Sequence, residues 1–276
     1  MAEIHTFNHH AMATWFDVRI SGVERRYAAQ AAQAAFDLLD SLESYLSRFR
    51  INSDTARVAR LVSGESMRLS EPAFACLQIA KRMEQATHSA FCPTPAALNT
   101  QGSLPQWDLL PDELSIVCVR GRVEFDLGAI GKGFALDRMA ELLCRWDCTS
   151  FLLVAGGSSI LAGAPPPHAA GWSCGLGEDD ASQRFYLTGA SLSGSGLAVK
   201  GPHILDPRSG RTTLRQSRAW ALADIASESD SLSTACMVLS KLELEDVLAQ
   251  NHSWLAFLDT GKGALTIGHR LHPMPA

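Results

Sequence analysis

Apolar positions recur along this chain with two periods, and the switches between them mark out its elements. Met12-Ala-Thr-Trp-Phe-Asp-Val-Arg-Ile20 alternates and predicts a first strand. From about Glu24 to Phe49 alanines and leucines recur at helical spacing with few breakers, which predicts one long helix. Ser53-Asp54 reads as a cap before a short helix at 55–61. Pro72 opens another helix reaching about His88. Two prolines make 90–95 a loop, and the polar stretch 100–113 reads as surface loop.

Further on, Arg122-Val-Glu-Phe-Asp126 reads as a strand ending in an acid. Glycines follow at 128, 131 and 133 with Lys132 between the last two, and Phe134 to Cys144 has helical spacing. Thr149 to Ala155 reads as a buried strand that runs through Gly156-Gly157 into a second strand, Ser158 to Ala162, ended by three prolines. Short strands are expected at 171–176, 183–188 and 190–193. Gly194-Ser195-Gly196 reads as a second glycine turn, and His203 to Gly210 as a polar loop. A strand at Arg218 to Asp224 precedes a helix from Asp230 to Leu239 with an acid at its start. A helix at 243–250 and a hairpin from Ser253 to Ile267, turning at 259–263, complete the pattern.

Composition adds exclusions. The 276 residues are 46% hydrophobic and 19% charged, enough to build a core. A net charge of −5 argues against a nucleic-acid footprint. Seven scattered cysteines without a Cys-x-x-Cys pair fit a reducing compartment better than a disulfide framework. No apolar run is long enough to span a membrane. The first ten residues lack the basic and apolar regions of a signal peptide, so the chain as written reads as cytoplasmic, or as periplasmic if it is a processed form.

Three stretches could carry chemistry. The glycine-rich turn at 126–133 before a helix is a device for binding phosphate: bare N–H groups attract the anion and glycine gives it clearance. It is not a P-loop, because Gly128 to Gly131 is too short a gap and Gly133 follows Lys132. On local grounds it is equally a tight connection. Asp230 and Thr234 lie one helical turn apart and could hold a hard cation such as Mg²⁺. The alternative is a helix-terminal acid with a core-facing threonine. His203 and Asp206-Pro207 could shuttle a proton, or could be a turn fixed by Asp206.

Asp126-Leu-Gly-Ala-Ile-Gly-Lys-Gly-Phe-Ala-Leu-Asp137 resembles the central motif of the FAD:protein FMN transferases, the ApbE-type flavin transferases. Other blocks follow the family's order. Met12-Ala-Thr14 resembles Met-Gly-Thr, and Leu46 to Ser53 resembles the Ser-x-Tyr block. Ala90-Phe-Cys-Pro-Thr94 is similar to Ala-Phe-Asp-x-Thr, and Ala155-Gly-Gly157 to the Gly-Gly-Asp strand end. Ser193 to Gly196 is similar to the Thr-Ser-Gly turn. His203 to Gly210 resembles His-Ile-x-Asp-Pro-x-Thr-Gly, and Asp230 to Thr234 resembles Asp-Ala-x-Ala-Thr.

The resemblance implies an α+β fold of T-fold-like antiparallel sheets with flanking helices, forming one domain over 1–276 that could divide into two lobes around the active site. It implies transfer of FMN from FAD to a Thr or Ser hydroxyl of a protein acceptor, with Mg²⁺ bound and AMP released. The metal ligands would be the Ala129 carbonyl, Asp230 and Thr234. Met12, Phe49, Ala90, Phe91, Cys92, Asp126, Lys132, Ser195 and Ser233 would meet FAD, with Lys132 at the pyrophosphate. His203 would be the base, with Asp206 and Lys132 beside it in the catalytic set. Cys92, Ser158, Gly194 and Phe49 stand where the family has Asp, Asp, Thr and Tyr. These departures leave open a relative that binds FAD without transfer, one that hydrolyses the pyrophosphate, and one that modifies a small-molecule hydroxyl.

Overall fold

A computed structural model describes residues 3–95, 105–176, 183–196, 204–213, 215–259 and 264–268. The chain opens with a hairpin of β1 (Ile4–Ala11) and β2 (Thr14–Ser21). Met12 and Ala13 form its turn with φ of 49° and 58°, so they lie outside the strand expected from Met12 onwards. Two positive φ values suit the right-handed twist of a two-residue hairpin. β1 escapes the hydrophobic pattern because it is an edge strand rich in histidine. The His9 ring stacks on Phe36 with centroids 5.0 Å apart and bonds Asp40 at 2.8 Å, tying that edge to α1 (Arg25–Leu46).

The first of the next two helices begins at the expected cap, and the second at a serine the sequence does not single out. Ser53 accepts from the Ala56 N–H at the start of α2 (Asp54–Val58), and Ser70 from the Ala73 N–H at the start of α3 (Glu71–Ala86). A three-stranded sheet in the order β3 (Ser66–Arg68), β5 (Ser115–Arg120), β4 (Gln106–Leu110) lies beside them. β4 corrects the surface loop expected over 100–113: Trp107 is buried edge-on against Phe125, with ring centroids 5.1 Å apart. Arg122 to Asp126 is not a strand. Val123 and Phe125 alternate inward, yet no strand pairs with the segment, and the Asp126 N–H donates to the Pro93 carbonyl at 2.8 Å. Alternation here reports one buried side of an extended segment rather than a ladder.

After α4 (Gly131–Arg145), β6 (Phe151–Ala155) and β7 (Ser159–Ala162) form a hairpin through Gly156 and Gly157. β8 (Trp172–Leu176) and β9 (Gln183–Leu187) pair with each other, and β10 (Ala190–Gly196) follows. Gly194-Ser195-Gly196 therefore lies within a strand and not in a turn. β11 (Leu205–Asp206) and β12 (Arg211–Thr212) make a small hairpin that starts inside the polar loop expected over 203–210 and ends just past it. Then come β13 (Arg218–Ala223), α5 (Ala226–Val238), α6 (Lys241–Ala249), β14 (Leu255–Asp259) and β15 (Ala264–Ile267).

The main sheet has eight antiparallel strands in the order β1-β2-β6-β7-β10-β13-β14-β15. Successive residues on a strand face opposite sides. Leu153 joins the core that also holds the inner faces of α1, α3, α4 and α5, while its neighbour Leu152 joins a second cluster under the β8–β9 pair with Trp172, Leu192 and Phe257. The α+β architecture of antiparallel sheets and flanking helices is the one expected. Among the described residues no helix is long and apolar enough to cross a membrane.

Candidate active site

The chemistry-bearing residues gather where the first turn of α4 meets α5. α5 starts at Ala226, so Asp230 lies in its second turn and not at its start. The helix is buried on nearly every side, and Asp230 is only 3% exposed. Burying a carboxylate demands compensation. Lys132 Nζ lies 3.1 and 3.3 Å from its two oxygens, the Gly133 N–H donates to Oδ2 at 3.1 Å, and the Ser159 hydroxyl donates to Oδ1 at 3.0 Å. Lys132 also reaches back to the Gly128 carbonyl at 3.3 Å, across the turn. Gly133 makes this junction possible, because a Cβ there would sit 2.2 Å from the Ala226 carbonyl oxygen.

Asp137 secures the other end of the junction. Its carboxylate accepts from the Ala226 N–H at 2.7 Å and the Ser227 N–H at 2.9 Å. Burial outweighs those hydrogen bonds and pushes its pKa up to about 6.

Hydroxyls fix α5 to the sheet. Ser191 and Ser193 on β10 meet Ser229 at 2.7 and 2.9 Å. Ser195 meets Ser233 at 2.9 Å and Thr234 at 3.2 Å, and Ser233 donates to the Asp230 carbonyl at 2.8 Å. Ser195 and Ser233, expected to meet FAD, bond each other beside Thr234. Ser159, Ser191, Ser193, Ser229 and the capping role of Asp137 went unrecognised. Their signal is present: serines two apart on a strand and four apart on a helix each line up on one side.

A second group surrounds the turn itself. Asp126 accepts from the Gly128 N–H at 3.0 Å and pairs with Arg48 at 3.0 Å. Arg48 in turn lies 4.9 Å over the Phe49 ring, which is 84% exposed. Arg48 thus contacts both the Phe49 ring and the Asp126 carboxylate. Met12 packs partly against the core at its hairpin turn. Ala90 and Phe91 are buried in the core. Burial and the nearby Glu84 charge push the Cys92 thiol up to about 12, so it is neutral at ordinary pH.

Asp206 is engaged elsewhere. Arg208 binds it at 3.0 and 3.1 Å through two side-chain nitrogens and also reaches Glu243 at 2.8 Å, at the start of α6. Burial would raise the Asp206 pKa, but the Arg208 bonds prevail and hold it below the usual carboxylate range. His203 lies outside the described residues.

The description ApbE family matches residues 12–258, nearly the whole chain. The chain belongs to the ApbE family. Two curated relatives from Klebsiella pneumoniae (strain 342), both named FAD:protein FMN transferase, are 24% and 21% identical. The first match covers 65% of this chain and 66% of the relative's length, and the second 87% and 79%. Among solved structures, the flavin transferase ApbE from Vibrio cholerae superposes with a TM-score of 0.83 at 17% identity, covering 98% of each chain. The apo flavinyl transferase ApbE from Pseudomonas stutzeri gives 0.81 at 19%, covering 97% of this chain and 95% of that one. At such identities the superpositions show the shared fold. The family expected from the order of the motifs is thus borne out.

For an ApbE-family site, the test of a metal lies in the donors. Ala129 offers a carbonyl, Asp230 a carboxylate and Thr234 a hydroxyl, all oxygen and so suited in kind to Mg²⁺. Asp230 already holds a cation, the Lys132 ammonium, so positive charge is accommodated there. No group of three or more His, Cys, Asp or Glu side chains converges among the described residues. One carboxylate is still enough for Mg²⁺ where substrate phosphate and water complete the shell. An open cleft of about 420 Å³ flanked by Arg60, Val62, Ser63 and Arg122 shares no lining residue with this cluster.

Proposed function

We propose that this chain is a Mg²⁺-dependent FAD:protein FMN transferase that moves FMN from FAD onto a Thr or Ser hydroxyl of an acceptor protein and releases AMP. The observation that carries the reading is the Lys132–Asp230 contact beside the first turn of α4. It places a positive charge on a flexible stem beside the glycine-rich turn, suited to a pyrophosphate. The family match over residues 12–258 supports reading the chain as one transferase domain.

In this reading Lys132 binds the pyrophosphate and Gly128 and Gly131 give it clearance. Arg48 and Asp126 hold the turn, and the exposed Phe49 ring offers a face for the flavin. Ala129, Asp230 and Thr234 would hold Mg²⁺, which would supply neutralisation of charge developing on the phosphates. The acceptor oxygen bonds to the FMN phosphorus as the bond from that phosphorus to the bridging oxygen breaks. AMP leaves with the bridging oxygen, and His203 takes the hydroxyl proton. Asp206, three residues after His203 in sequence, is locked by Arg208.

Cys92 favours a second reading, because a neutral thiol stands where the family has a carboxylate: FAD is held and not transferred. Mass spectrometry after incubation with FAD, Mg²⁺ and an acceptor protein decides. Acceptor carrying FMN together with AMP supports the transferase. Free FMN with AMP indicates hydrolysis, and intact bound FAD indicates a carrier; either result removes the transferase reading.

A further inference from the structure

The Lys132 ammonium and the Mg²⁺ of the proposed reaction are assigned to the same carboxylate. The two Asp230 oxygens already receive Lys132, the Gly133 N–H and the Ser159 hydroxyl. A divalent cation arriving there would stand beside a full positive charge in a largely buried site, where solvent and salt screen repulsion poorly. Lys132 has a way out. Its side chain is 22% exposed on a flexible four-carbon stem, and it already touches Gly128 in the turn that the proposed function assigns to the pyrophosphate.

We propose that Lys132 is a resident counter-ion that occupies the metal position until a dinucleotide pyrophosphate arrives. The pyrophosphate draws the ammonium away and frees Asp230 for the divalent cation. Asp230 is not left bare in the exchange, because Gly133 and Ser159 keep their hydrogen bonds to it. FAD and metal therefore bind with positive coupling, and by linkage each tightens the other by the same factor. The proposal rests on the assignment of Asp230 as a metal ligand.

The test is a titration with Mn²⁺, an EPR-visible stand-in for Mg²⁺, with and without FAD and with no acceptor present; Mn²⁺ bound by FAD alone is subtracted. In the wild-type protein FAD should tighten Mn²⁺ at least about fivefold, the lower end of the typical coupling range. Lys132→Met should bind Mn²⁺ without FAD at least about fivefold tighter than wild type, with a smaller further gain from FAD than wild type shows. Lys132→Gln, which keeps a donor for Asp230 without the charge, should behave alike. Equal wild-type affinity with and without FAD overturns the counter-ion role, and needs no variant to fold. Asp230→Asn separates the two layers. Loss of Mn²⁺ in that variant, with no coupling in wild type, removes only the exchange. Retention of Mn²⁺ removes the metal assignment beneath it.

Discussion

Asp137 and Asp230 each cap the helix that carries the other. Asp137, on α4, accepts the Ala226 and Ser227 N–H groups that open α5, and Asp230, on α5, accepts the Gly133 N–H in the first turn of α4. Both helix N-termini leave unsatisfied donors, and each carboxylate answers the other's. The arrangement fixes the spacing between Lys132 and Asp230, on which the proposed chemistry depends.

The reciprocal caps should leave a signature in pH. Asp137 has a folded pKa raised to about 6, above the ordinary value of 3.8. A raised carboxyl binds its proton more tightly in the native state. Its contribution to stability is therefore full below pH ~4 and is lost as pH rises to ~6, by at most about 3 kcal/mol over that window. Urea unfolding across that range should show Asp137→Asn losing this slope relative to wild type. Parallel pH profiles for the two proteins would contradict it.

Gly133 should tolerate no side chain. A Cβ would meet the Ala226 carbonyl oxygen at 2.2 Å, its carbon at 2.5 Å and the Ser227 Cα at 2.7 Å, all backbone atoms. Gly133→Ala must push the two helices apart and should cost about 3 kcal/mol in denaturant unfolding. Transfer activity should fall as well, because Lys132 and Asp230 separate. Unchanged stability would show that the contact yields easily.

The departure at Gly194 has a neighbour that explains it. Gly194 pairs across the sheet with Trp220, and a Cβ at 194 would sit 2.8 Å from the indole Cδ1. Restoring the family's residue with Gly194→Thr should destabilise by about 1–3 kcal/mol. Adding Trp220→Ala should recover part of that loss, a non-additive pair in a double-mutant cycle. Strict additivity would remove the compensation.

The parts of this molecule legible in its sequence are those where local physics decides. α1 follows its periodicity, α3 carries Pro72 in its first turn, Ser53 caps as expected, and the β6–β7 hairpin turns at its two glycines. Features settled by distant partners were not legible. The edge strand β1 depends on Phe36 and Asp40, and β10 continues through Gly194 because Trp220 fills the space opposite. The same holds at the site. The motifs located Lys132 and Asp230 as separate signals, but nothing local says that they touch, nor that Ser159 and Gly133 complete the carboxylate's bonds. Asp206 follows its motif histidine by three residues in sequence, yet Arg208 links it to the start of α6.

The most direct test of the central claim is AMP release from FAD in the presence of Mg²⁺ and an acceptor protein, measured for wild type and for Asp230→Ala after confirming that the variant is folded. The account predicts AMP and FMN-modified acceptor in equal amounts from wild type, and at least about a hundredfold slower release from the variant, the scale of loss for a group stabilising transition-state charge. Equal rates from the two proteins would contradict the assignment of this site.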